Sequence, residues 1–88
     1  MPAISYFYGI TIKMYSEANG KHHIPHFHAE YQDYEASYDF DGELLDGKLP
    51  NKQHKIVSAW AAIHKDKLDT CWELLSKKAG FIKIPPIK

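Results

Sequence analysis

The chain has 88 residues, 44 % of them apolar, with six Tyr, four Phe and two Trp, which describes one folded domain over residues 1–88 and excludes a disordered chain. No apolar run approaches the length that crosses a membrane, so a membrane partner is not expected. Eleven acidic residues balance eleven basic ones, all of them lysine, and without arginine's bidentate reading of guanine, sequence-specific DNA recognition is disfavoured.

From Ile4, the residues Ile4, Tyr6, Tyr8, Ile10, Ile12 and Met14 recur at every second position, the period of a half-buried strand. Gly9 interrupts the run, which predicts two strands or one strand bent by a bulge. Ser16 to Pro25, with Asn19-Gly20 inside it, reads as an exposed connection that carries His22 and His23. Next, Phe27, Ala29 and Tyr31 alternate against His26, His28 and Glu30. Beyond Gln32-Asp33, Tyr34, Ala36, Tyr38 and Phe40 alternate against Glu35, Ser37 and Asp39. Two alternating runs around a short polar link predict a hairpin in which His26 faces Asp39, His28 faces Ser37 and Glu30 faces Glu35. Asp41-Gly42 is a hairpin turn signal, and Glu43 to Leu45 reads as a brief strand before Asp46-Gly47.

From Asn51, a candidate cap, the period becomes helical: Ile56, Val57, Trp60, Ala61 and Ile63 form one stripe. Asp66 and Asp69 mark a second helix whose stripe is Leu68, Cys71, Trp72, Leu75 and Ala79, with Gly80 as its end. The tail, with Pro85-Pro86, is not helical, and its Phe81, Ile82, Ile84 and Ile87 predict that it lies along the body. The expected fold is α+β: an antiparallel β-sheet of about four or five strands in the N-terminal half covered by two C-terminal helices, in the order β-β-β-β-α-α.

Charge divides along the chain. Residues 26–50 carry seven acidic residues against Lys48, and residues 51–88 carry eight lysines against Asp66, Asp69 and Glu73. Opposite poles can steer a protein partner or bring copies together as a homo-oligomer; the plain alternative is a pair of solvated faces. The single Cys71 forms no internal disulfide, and the N-terminus lacks a charged leader, so a cytoplasmic location is expected.

Four of the six histidines lie between His22 and His28. Alternate residues of a strand are roughly 6–7 Å apart, so the imidazoles of His26 and His28 can converge on one ion. His22 or His23 could supply a third ligand, and Asp39 a fourth or an acceptor for the other ring nitrogen. Imidazole with carboxylate suits Zn, Ni or Cu. A second chemistry is acid and base catalysis on a phosphodiester, with His26 and His28 as the catalytic pair and Lys21 binding phosphate. The plain reading is that both histidines are polar residues on a solvated sheet face. "HFHAE" resembles the start of the histidine-triad hydrolase signature, but Glu30 stands where the nucleophilic third histidine is required. His54 and His64 read as surface or interface residues, and Trp60 and Trp72 as core.

Together, "ISYFYGITIKMYS", "HHIPHFHAEYQDYEASYDF", "GELLDGKLPNKQ", a Trp in each helix and a terminal "IKIPPI" resemble the small bacterial domain-of-unknown-function 4160 family. His22, Pro25, His26 and His28 match its His-x-Pro-Pro-His-x-His pattern; Ile24 replaces its first Pro, and His23 falls at its variable position. The resemblance therefore selects His22 over His23 and implies a chain encoded beside another small protein, in a two-gene toxin–antitoxin arrangement. It implies no established activity.

Overall fold

The computed structural model describes residues 3–14 and 24–87. Five strands, β1 (Ala3–Phe7), β2 (Ile10–Lys13), β3 (His26–Tyr31), β4 (Tyr34–Asp39) and β5 (Leu44–Lys48), form one antiparallel sheet in chain order. Two helices follow, α1 (Asn51–Ile63) and α2 (Lys65–Ser76). This is the expected α+β fold, with five strands. No helix among the described residues is long and apolar enough to cross a membrane.

Tyr8 and Gly9 join β1 to β2 with φ of 50° and 77°. Two left-handed residues make the turn whose twist matches a tight hairpin, and Phe7 pairs with Ile10 across it. The even alternation read from Ile4 onward does not hold through β1. Phe7, paired with Ile10 across the turn, faces inward with it, so Tyr6 opposite Thr11 is 66 % exposed and Tyr8, in the turn itself, 60 %. The register shift between Ala3 and Ser5 lets Ile4 return to the core.

The β3–β4 register is the expected one: His26 opposite Asp39, His28 opposite Ser37, and Glu30 opposite Glu35. Strand β5 is longer than expected and runs through Asp46-Gly47. Asp46 faces Ser37 while Leu44 faces Tyr38, so Leu45 is the extra residue of a bulge. Gly47, at φ 74°, lies so close to the Glu35 carbonyl that a Cβ there would collide with it. The Asp-Gly pair thus lies in the strand, beside the bulge, rather than in a loop.

One sheet face carries Ile10, Ile12, Phe27, Ala29, Ala36, Tyr38 and Phe40, all buried, and the helices cover it. Trp60 of α1 is fully buried, edge-on to Phe27 at 5.5 Å and tilted on Phe7 at 5.3 Å. Removing each such ring from water contributes about 1.5–3 kcal/mol. Val57 and Ala61 share that inward stripe, whereas Ile63 is exposed.

Pro50, not Asn51, stands at the N-cap of α1, without a side-chain cap. Proline presets the backbone angle there, and its carbonyl accepts the His54 N–H. Leu68 and Cys71 are the buried residues of α2, Ala79 lies beyond its end, and the helix stops at Ser76, four residues before Gly80.

The tail does lie along the body. Ile84 N–H donates to the Ile4 carbonyl (2.8 Å), Ser5 Oγ donates to the Ile84 carbonyl (2.9 Å), and Trp60 Nε1 donates to the Pro85 carbonyl (2.9 Å).

Candidate functional site

The outer face of the sheet is built from cross-strand rows. Lys13, His28, Ser37 and Asp46 succeed one another across β2 to β5, and Thr11, Glu30, Glu35 and Lys48 form the neighbouring row. Lys13 Nζ pairs with Glu30 Oε1 at 3.1 Å. Because β3 is the middle strand, its histidines stand at the centre of this face rather than at an edge.

His26 and His28 come together, their ring centroids 5.2 Å apart and their planes nearly perpendicular. They are not solvated in the way an open polar face would predict. His26 is 1 % exposed and His28 has a side chain 14 % exposed. The ring of His26 lies 5.5 Å from that of Trp72, which also stands edge-on to Phe40, so α2 reaches the rim of the sheet where β3 begins.

Hydrogen bonding sets the chemistry of each ring. His26 Nδ1 lies 3.0 Å from the Ile24 carbonyl. A carbonyl only accepts, so Nδ1 carries hydrogen and the neutral ring keeps its lone pair on Nε2. His28 Nδ1 shares a 3.2 Å hydrogen bond with Ser37 Oγ, and Glu35 Oε1 is 3.9 Å away. The Nε2 atoms of both rings are shielded from bulk water. Such a pair can take a proton, give one, or offer nitrogen to a borderline metal ion.

Asp39 faces His26 in register, but its Oδ1 accepts the N–H groups of Asp41 (2.9 Å) and Glu43 (3.0 Å). It therefore organises the turn into β5. Lys21, His22 and His23 lie outside the described residues. Among the described residues no group of three or more His, Cys, Asp or Glu is placed to hold a metal, so His26, His28 and Asp39 do not form such a set by themselves.

A second histidine contact lies behind the first, on the core side. Tyr38 Oη and His54 Nδ1 share a 2.9 Å hydrogen bond, with the rings stacked at 5.6 Å. Burial pushes the Tyr38 hydroxyl up to about 12. His54 is thus anchored to the sheet, and the signal was in the sequence: with Val57 and Ala61 it follows the inward stripe of α1. His64 sits at the junction of the two helices beside Trp60, where burial and then Lys67 lower its pKa. The Ile24 carbonyl and Trp72, which hold and cover His26, were not named as site groups from sequence.

Residues 9–73, most of the chain, match the family described as domain of unknown function (DUF4160). No curated protein matches the chain, and no solved structure matches it.

Proposed function

The chain belongs to the domain of unknown function 4160 family, and we propose that it is one component of a two-gene toxin–antitoxin-like module, acting through a small protein partner with His26 and His28 as its functional patch. The observation that carries this reading is the packing of two imidazoles against each other near the middle of the sheet, 5.2 Å apart and largely shielded from water. Burying polar rings has a free-energy cost that an apolar pair at the same positions would avoid, and shielded titratable groups are where chemistry is placed. The division of charge supports a protein partner. The acids of β4, β5 and their turns are mostly exposed, as are Lys52, Lys55, Lys65 and Lys67 on the helices.

If RNA is the target, His26 and His28 would share the general base and acid roles and Lys21 would meet a phosphate. Expression in a bacterial host tests the reading: growth should stop, the neighbouring gene should relieve the arrest, and His26→Gln with His28→Gln should abolish it. Harmless expression at high level removes the toxin role.

A noncatalytic metal-binding or metal-sensing role is favoured by one specific feature. A ligating histidine usually gives its other ring N–H to a carbonyl or carboxylate, and His26 makes that bond to Ile24. His26 and His28, with His22, would hold Zn, Ni or Cu. Metal analysis of tag-free protein should then find about one equivalent, lost in the double variant; metal-free protein ends this reading.

A further inference from the structure

The two edges of the sheet are finished differently. On β1 the tail occupies the edge, where Ile84 is 3 % exposed and bonded to Ile4 and Ser5. On β5 four of the five residues are exposed, and its only strand partner among the described residues is β4. Among the described residues no backbone hydrogen bond joins its outer side to another segment. A strand of this length leaves about two or three residues with N–H and C=O directed outward, a template for another strand.

The surroundings select what can pair there. Glu43 precedes β5, Asp46 lies within it and Glu35 stands on the neighbouring strand, all exposed, against Lys48 at the far end; Asp41 is already paired with Lys65 at 2.7 Å. Leu44, 43 % exposed, adds an apolar contact. Two copies of β5 laid in parallel register would bring Glu43 and Asp46 against their own counterparts, and an antiparallel pair centred on Asp46 would oppose two carboxylates, both unfavourable. We infer that the free edge of β5 docks an extended, lysine- or arginine-rich segment of a partner protein, which adds a sixth strand to the sheet. This rests on the partner-dependent reading above and names the surface and the chemistry of the partner.

The test uses the full chain, isotope-labelled, and an eight-residue peptide alternating lysine and valine. Two controls are a glutamate–valine counterpart and a lysine–valine peptide N-methylated along one edge. Hydrogen exchange at Leu44–Lys48 should slow about tenfold or more with the lysine peptide alone. The N-methylated peptide keeps the charge and loses the backbone donors, so it should fail. Glu43→Lys combined with Asp46→Asn should weaken binding about tenfold. The amide oxygen introduced by Asp46→Asn can still accept the Gly47 N–H that Asp46 Oδ1 accepts at 2.9 Å, and unchanged exchange in β1 to β4 would show that the fold is intact. Equal binding of the N-methylated peptide, protection away from β5, or no protection at millimolar peptide overturns the inference. None of these readouts involves growth. A chain whose arrest is relieved by its neighbour can therefore fail here, and a harmless chain can pass.

Discussion

Strand β3 presents Phe27 and Ala29 on one face and His26 and His28 on the other, and the two faces are stabilised by different physics. On the first, Phe27 stacks on Tyr38 at 5.6 Å and meets Trp60 edge-on, a contact set whose free energy comes from excluded water and close packing. On the second, the rings are held by directional bonds to the Ile24 carbonyl and the Ser37 hydroxyl. Burial alone does not distinguish them, since Phe27 is fully buried and His26 is 1 % exposed. What differs is whether the buried side chain can exchange a proton.

The largest effect should come from emptying the first face. Phe27→Ala removes a ring from between Tyr38, Phe40 and Trp60, and should lower unfolding stability by about 3–5 kcal/mol, measured by denaturant titration. A loss under about 1 kcal/mol would mean that the two faces are not energetically distinct.

Next is alkaline pH, which reaches the first face through Tyr38. Below pH 10 both folded and unfolded chains hold the phenolic proton; between 10 and about 12 only the folded chain does. Stability should therefore fall as pH rises through that window, by roughly 2–3 kcal/mol in all. Tyr38→Phe should flatten this part of the profile, and an unchanged slope would contradict the burial of the hydroxyl.

Smaller in stability is the second face. His28→Gln keeps a polar partner for Ser37, and should shift stability by no more than about 1 kcal/mol while removing whatever activity the pair supports. Comparable losses of stability and activity would instead make His28 a structural residue. Smallest of all, Lys77→Ala breaks a surface pair with Glu73 on α2 and should leave the melting temperature unchanged.

The hairpin that carries the histidines was legible from sequence down to its register, because strict alternation around Gln32-Asp33 leaves few ways to pair. The shielding of His26 was not legible, since it depends on Trp72, far along the chain, coming over the rim of the sheet. Two features of the strands escaped for a common reason. Tyr6 and Tyr8 are exposed because a two-residue turn at Tyr8-Gly9 reverses the parity of the run, and β5 continues through Asp46-Gly47 past a bulge at Leu45; neither leaves a mark in a pattern of period two. The helix stripes were readable around Trp60 and Cys71, and overextended at Ile63 and Ala79, where the chain leaves the core.

The clasp between Ile84 and Ile4 joins β1 to a segment 80 residues further along the chain. During synthesis β1 emerges long before the segment that completes it, so its edge stays open while the rest of the sheet and both helices are made. Protection of that edge therefore waits until the segment around Ile84 has left the ribosome, and a chain stalled before Ile84 would expose an unfinished sheet at β1.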